Sequence, residues 1–526
     1  MPIDPPSNEP LERDVPLSQS LIWRLQRQFY VQRGLKVWTE DMVPQYITNN
    51  PFITEIYARI VFNFLRDCGQ LSSQNPLRIL ELGAGPGKFS YLFLRQLTAL
   101  LRAANIGLDT VRYCMTDCSE SLIEPWRTNS YLAEFVACGI LEFELFQVGE
   151  ETKSQYVSGK ASKTGKGPLV LIANYVFDSL PQDAFVIKEG QISEALITTT
   201  APSGGDGTVE ALSRLQLAYK NVSLSPNRYP EQSWNDILEH YRSHLPAATV
   251  LFPSATLKTL QQLGNITDGR MLVLAADKGY PHEDELLFSQ GAPVLEFHAA
   301  ANCFSQMVNF HAIGKYFQTI GGEAFTPDKH SASLCICAFL QHRSGDHFPA
   351  TKAAYQEAQA VLGPDDVFTL LAWLNPHMEE MSVPQILSTL RLTRWDPVAL
   401  LRLFPVLARQ LRSVSADRND LRNAVMRTWA NHYPVNPSEN VLAFNCGVIL
   451  LELQFFAEAL SMFKTSEQIF APSAATSYNL GLCSLGLGRS SEALAFMVEA
   501  CNLDPTFEPA KLSRRKLEAE NAETKK

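Results

Sequence analysis

Short apolar runs alternate with stretches of helical period from Leu77 to about Ala338. The runs "LRILELG", "TVRYCMTD", "LEFELFQV", "PLVLIANYVF", "RMLVLAAD" and "SLCICAFL" are too short and too uniformly apolar for amphipathic helices. They read as strands of a mostly parallel sheet with helices on both faces, an α/β architecture. The alternation breaks once, at "FVIKEGQISEALI", whose Glu189-Gly190 pair marks a hairpin turn. Upstream, residues 19–36 read as a helix rich in Arg and Gln. "VPQYITNNPFITEIYARIVFNFLRD" (43–67) reads as a loop and an amphipathic helix starting at Asn50 and Pro51. The polar stretches "KSQYVSGKASKTGKGP" (153–168) and "APSGGDG" (201–207) read as solvated loops.

After about residue 350 the strand pattern stops and helical periodicity takes over. "FNCGVILLELQFFAEALSMF" and "YNLGLCSLGLGRSSEALAFM" align at an offset of 34 residues, Asn445 with Asn479, Gly447 with Gly481 and Ala459 with Ala493. That offset is the tetratricopeptide period, and small residues at those places let antiparallel helices pack closely. The second copy places Ala500 and Pro505 as that repeat does; Ser466 and Pro472 fit less well in the first. "TFEPAKLSRRKLEAENAE" reads as a polar capping helix, and the helices of 350–435 are expected to stack on the repeats. The expected division is a tail and helical segment at 1–75, an α/β domain at 76–345, a helical connector at 346–435 and repeats at 436–526.

Composition narrows the class. A chain of 526 residues is too long for one core, and 46% hydrophobic with 19% charged residues is an ordinary globular mix. A net charge of −10 argues against a general nucleic-acid binder, which needs a basic face. The ten cysteines include the close pairs Cys114/Cys118 and Cys335/Cys337 but no zinc-ligand spacing, so buried thiols and no metal are expected. "MPIDPPSNEPLERDVPLS" has no apolar core of a signal peptide, and no run approaches the roughly 18 apolar residues of a membrane span. A cytoplasmic protein is expected.

The candidate chemistry begins at "ILELGAGPGKFSYLF", where Gly83, Gly85 and Gly87 separate the first strand from its helix. Such a turn lets a ligand approach the backbone at a helix N-terminus. A dinucleotide fingerprint is G-x-G-x-x-G; here the spacing is G-x-G-x-G, with Glu81 two residues before the first glycine. A carboxylate there repels a pyrophosphate but suits the cationic end of S-adenosylmethionine. Asp117, ending the next strand, can accept hydrogen bonds from both ribose hydroxyls. Together the two motifs favour a class I methyltransferase over a nicotinamide dehydrogenase.

"VPQYITNNPFITEIYARIV", "LRILELGAGPGKFSYLFLRQL", "MTDCSESL", "ANYVFDSLPQDAFVI" and "FSQMVNFHAIGKYFQTIGGEAF" occur in the order and spacing of the MidA-like family, which the chain resembles over roughly 40–340. That family includes the mitochondrial complex I assembly methyltransferase. Ile47-Thr48 matches its loop before the fold and "DSLPQDAFVI" its fourth-strand signature, while Asn309 stands where an aspartate is usual. The resemblance implies an S-adenosylmethionine fold, with protein arginine as one type of acceptor. The C-terminal repeats are not part of the family's usual plan.

Gln147 ends the third strand, where many methyltransferases place an acidic residue against the adenine amino group; its carbonyl can accept the same hydrogen bond. The fourth strand carries Asn174, Tyr175, Asp178 and Asp183 towards the edge of the sheet where ligands bind. Methyl transfer is mostly positioning and desolvation. Asn174 is expected to orient the acceptor, and Asp178 to pair with a cation or take its proton, the alternative for Asp178 being a helix cap. Tyr175 reads rather as a packed aromatic. Asp277, at the end of the fifth strand, reads equally as an acceptor-side residue or a loop carboxylate. His298 and His311 are not at ligand spacing, and His311 reads as structural. The expectation is an S-adenosylmethionine-dependent methyltransferase whose C-terminal repeats capture a protein. A non-catalytic assembly protein on the same fold is the alternative.

Overall fold

The computed structural model describes residues 10–40, 42–43, 46–69, 71–146, 148, 166–201, 208–298, 302–328, 334–361, 363–414 and 416–524. The chain folds as two compact units, Met1–Asp365 and Asp366–Lys526. The strands of the first unit are β1 (Glu12–Pro16), β2 (Leu77–Leu82), β3 (Val111–Asp117), β4 (Leu141–Leu145), β5 (Leu169–Asn174), β6 (Asp183–Lys188) and β7 (Gln191–Thr200). They continue with β8 (Gln216–Ser223), β9 (Ala247–Phe252), β10 (Met271–Asp277), β11 (Glu296–His298), β12 (Cys303–Ser305), β13 (Glu323–Phe325) and β14 (Cys335–Gln341).

All six expected strands fall in one seven-stranded sheet of order β13-β14-β10-β5-β2-β3-β4. From β10 to β4 every pairing is parallel; β14 and β13 close one side antiparallel. β2 and β10 are buried at every position, as a strand covered on both faces must be. The chain leaves β2 towards β3 and leaves β5 towards β10, in opposite directions across the sheet. The crevice at this reversal, beyond Leu82 and Asn174, is where open α/β sheets bind ligands. The expected cap forms on the helix Pro51–Asp67, where Ile53 N–H donates to Asn50 Oδ1 at 3.0 Å.

The hairpin of β6 and β7 belongs to a second, antiparallel sheet of order β1-β7-β6-β9, with β8 also on β7. Its turn residues Glu189 and Gly190 have φ of 51° and 72°, the left-handed pair that matches the twist of hairpin strands. No helix begins at "SLPQDAF": Phe177–Ser179 form one 3-10 turn and Asp183 opens β6. This removes the structure in which Asp178 was to be a cap.

The second unit is helical. Five successive helices, Leu442–Glu452, Phe456–Ile469, Ala474–Gly486, Ser490–Leu503 and Glu508–Thr524, each pack on the next. A Cβ on Gly447 would lie 2.7 Å from the Phe463 ring, and one on Gly481 would lie 2.7 Å from Met497 Cε. The same close approach therefore recurs at the sequence offset of the repeat. One apolar core runs from Met381 to Cys483, so the helices before residue 436 share it.

Candidate active site

The glycine turn takes its shape from three residues with φ of +61° (Gly83), +53° (Gly85) and +84° (Gly87), a region that side chains disfavour. Space is also short: a Cβ on Gly85 would stand 3.1 Å from the indole of Trp38. Asp117, at the end of β3, holds this turn. Its Oδ2 accepts from Gly85 N–H at 3.1 Å and its Oδ1 from Cys118 N–H at 2.7 Å. Trp126 Nε1 donates to Gly85 O at 2.9 Å. Burial raises the Asp117 carboxyl above its usual range, and the two amides oppose that rise. Glu81 is buried one residue before the end of β2, accepting from Ser90 Oγ and, at 2.6 Å, from Tyr113 OH. Burial lifts its carboxyl to about 7 despite both donors.

Across the reversal, β5 ends in Asn174. Its Oδ1 accepts from Tyr57 OH at 2.7 Å, while its buried Nδ2 has no partner among the described residues. Tyr175 follows with φ of +54°, strain of the kind that collects at functional sites, and it lines the cleft rather than the core. Asp178 is buried in the next turn, its Oδ1 accepting from Ser179 Oγ at 2.9 Å. Burial raises its carboxyl to about 6, against the pull of Ser179 and Lys278. The turn is capped by Asp277, whose Oδ2 accepts from Phe177 N–H at 3.0 Å and Asp178 N–H at 3.3 Å.

Glu81, Gly83, Gly85, Asp117, Asn174 and Asp178 thus line one cleft of about 300 Å³, within the range of small-molecule sites. Gly87 opens the helix Lys88–Ala103 behind it. Gln147 lies outside the described residues; its neighbours Phe146 and Val148 line the cleft. Asp183 does not line it. That carboxylate is buried at the start of β6, accepting from Ser18 Oγ at 2.5 Å and Tyr229 OH at 2.7 Å. Asn309 caps the helix Phe310–Thr319 through Ala312 N–H at 2.9 Å and donates to Leu251 O at 3.1 Å, a donation no carboxylate can make. His311 is tied to Tyr241 OH at 3.0 Å, and burial pulls it down to about 4. His298 lines the cleft, with Nε2 3.2 Å from Ser305 Oγ, and burial lowers it too.

Sequence reasoning missed a second wall. Trp23, Gln26, Tyr30 and Trp38 come from the helix Leu21–Arg33 and the turn after it, and Phe304 comes from β12. Gln26 Oε1 accepts from Phe304 N–H at 3.0 Å, fastening helix to hairpin across the chain. The cluster of aromatic residues in 23–38 was the only signal, and it has no spacing that names a ligand. Among the described residues no group of three or more His, Cys, Asp or Glu is placed to hold a metal ion.

Residues 57–310, just under half of the 526-residue chain, match the model of a family described as "Putative S-adenosyl-L-methionine-dependent methyltransferase". The match includes the cleft-lining residues from Glu81 to Ser305, though not those before residue 57, and supports an S-adenosylmethionine-dependent methyltransferase family, with S-adenosylmethionine as the cofactor. Nothing among the curated proteins matches. Two solved structures from Burkholderia thailandensis are similar to the chain. One, a superfamily member bound to S-adenosyl-homocysteine, is 14% identical, with 65% of this chain and 83% of that chain covered and a TM-score of 0.41. The other, an uncharacterized protein of the same superfamily, is 13% identical, with 64% and 89% covered and a TM-score of 0.41.

The side chains present fit such a cofactor. The unpartnered Asn174 Nδ2 offers a donor, Gly83 and Gly85 line the cleft in backbone conformations that side chains disfavour, and a cation beside Glu81 would favour its charged form.

Proposed function

We propose that this chain is a MidA-like methyltransferase that modifies a side-chain nitrogen of a protein, arginine being the leading case. Its helical C-terminal unit is read as tetratricopeptide-type repeats that hold the protein, and its place of action as the cytoplasm. The observation that carries the reading is Asp178, a buried carboxyl on the cleft wall next to the strand end that bears Asn174. S-adenosylmethionine, when bound, supplies an electrophilic methyl group on a sulfonium. The chain's own part is to hold and desolvate the acceptor. Arginine stays protonated at physiological pH, so its nitrogen attacks only if a carboxylate localises the charge or takes the proton. Asp178 has the position and the basicity for that, and Asn174 Nδ2 can fix the acceptor's plane.

The test is single-turnover transfer from methyl-tritiated S-adenosylmethionine to protein acceptors in a lysate. Asp178→Asn should leave cofactor affinity nearly unchanged and slow transfer by about a hundredfold or more, the scale of losing a positioned acid–base group. Cofactor binding with no labelled protein would favour the assembly-protein alternative. Normal turnover in Asp178→Asn would place the chemistry elsewhere.

A further inference from the structure

Asp277 is the last residue of β10 and has no exposure to solvent, yet it determines where Asp178 stands. One of its oxygens, Oδ2, is occupied by the backbone amides of Phe177 and Asp178. The other, Oδ1, is buried with no donor among the described residues. Beside it lies the Asp178 carboxyl, within side-chain hydrogen-bonding reach. Two ionised carboxylates in buried contact repel each other and leave oxygens without donors, and both costs are large in a poorly solvated site. A proton between them removes both at once, because the orphaned oxygen then takes part in an O–H···O bond.

We propose that Asp178 and Asp277 act as one carboxyl pair holding a single shared proton, with Asp277 the positioning residue that sets the place of Asp178 and donates the shared proton to it. The surroundings agree. Burial and mutual repulsion raise Asp277 well above the carboxylate range, while Asp178 titrates at about 6. Tyr30 and Cys303, which face Asp178, are kept neutral by burial, as is Tyr57 near Asp277. The charges that reach Asp178 are Lys278 and Glu296, and these are paired with each other at 3.2 Å.

The consequence for turnover rests on the methyltransferase reading above; the shared proton does not. As the acceptor nitrogen bonds to the methyl carbon, the carbon–sulfur bond breaks and sulfur keeps its electron pair. The acceptor N–H bond gives its proton to the pair, which passes from one proton to two. A pair already doubly protonated cannot receive it, so the rate should fall on the acid side of about pH 6.

The test has two arms on the full chain. In the first, aspartate labelled with ¹³C at Cγ is followed by NMR from pH 4 to 9. The wild type should show one carboxyl titrating near pH 6 and a second titrating well above the usual carboxylate range. Asp277→Asn should remove the higher of the two and leave the one near pH 6, because the new amide is a neutral donor to Asp178, as the protonated Asp277 is, and burial still raises it. If every aspartate of the wild type titrates below about pH 5, the shared proton is overturned, whether or not the variant folds. In the second arm, the acid limb of single-turnover methylation should stay near pH 6 in Asp277→Asn, which keeps a neutral donor beside Asp178, and move up in Asp277→Leu, which removes it. A uniform loss of rate in Asp277→Leu with an unmoved limb would show a merely structural Asp277 and overturn the positioning role. The expected NMR signals in a protein that methylates nothing would keep the pair and sink the methyltransferase reading instead.

Discussion

Glu81 is buried with hydroxyls rather than a cation as its hydrogen-bond donors and holds its proton up to about pH 7, whereas in the unfolded chain it releases it near the usual 4.5. Between those values the folded state binds more protons than the unfolded state, so stability falls as pH rises through the window. The cost of the ionised form is about 3 kcal/mol once pH exceeds 7. Glu81→Gln removes that cost. The ligand-free variant should gain on the wild type steadily between pH 5 and 7.5 in urea unfolding, and gain nothing below pH 4.5. Cofactor binding has the opposite sign. A sulfonium or ammonium near Glu81 favours the carboxylate, so wild-type affinity should rise with pH up to about 7 and release a proton measurable by calorimetry in buffers of different ionisation heat. Affinity unchanged in both size and pH dependence on Glu81→Gln would remove Glu81 from the cofactor site.

Elements matter here because the cleft is walled by pieces distant in sequence. Asn50 joins two of them. Its Oδ1 caps the helix Pro51–Asp67, and its Nδ2 donates to Tyr46 O at 3.0 Å and Ile47 O at 2.9 Å. Ile47, Thr48 and Asn49 line the cleft, so the cap also fixes part of its wall. Asn50→Ala should cost about 1–2 kcal/mol of stability, the usual loss for an N-cap that makes further bonds. It should also weaken cofactor binding; a fall in stability with full affinity would mean that the wall holds its place without the tie. The sheet that carries Glu81, Asp117, Asn174 and Asp277 was legible because its strands are buried on both faces and read as unbroken apolar runs. Their ends then located the candidate residues. The antiparallel sheet was legible only at its Glu189-Gly190 turn. β1, "ERDVP", is charged, and β8, "QLAYKNVS", has no buried position, so neither shows the pattern of a covered strand. The aromatic wall was hidden for a different reason: Trp23, Tyr30 and Phe304 meet only through tertiary structure, and no local spacing encodes that meeting.

At the scale of the whole molecule, each unit carries its own core. The core running from Met381 to Cys483 lies wholly within Asp366–Lys526, and the core around the parallel sheet lies wholly within Met1–Asp365. Separate cores allow separate folding, so a chain cut after residue 365 should keep cofactor affinity within about threefold of the full protein. The place of the cut matters. The strand pattern ends near residue 345, but packing in the first unit continues through the helix Pro349–Val361. Phe348 stacks on Phe64 with ring centroids 5.4 Å apart, and Tyr355 OH donates to Ile336 O at 2.8 Å. Thr351 donates through its N–H and its hydroxyl to Asp67 Oδ2, both at 2.7 Å. A cut after residue 345 exposes Phe64 and the outer face of the helix Pro51–Asp67, and it leaves Asp67 and Ile336 O without these donors. Losing one buried aromatic ring costs about 3–5 kcal/mol, and the lost hydrogen bonds add to it. That sum approaches the whole stability of an ordinary domain. The 1–345 fragment should therefore unfold at markedly lower urea than 1–365, and bind cofactor poorly because Tyr57 and its partner Asn174 depend on the same helix. Equal midpoints for the two fragments would show that the helix Pro349–Val361 is dispensable to the first unit. Loss of cofactor affinity in the 1–365 fragment, with its fold intact by circular dichroism, would mean that the helical unit contributes to cofactor binding.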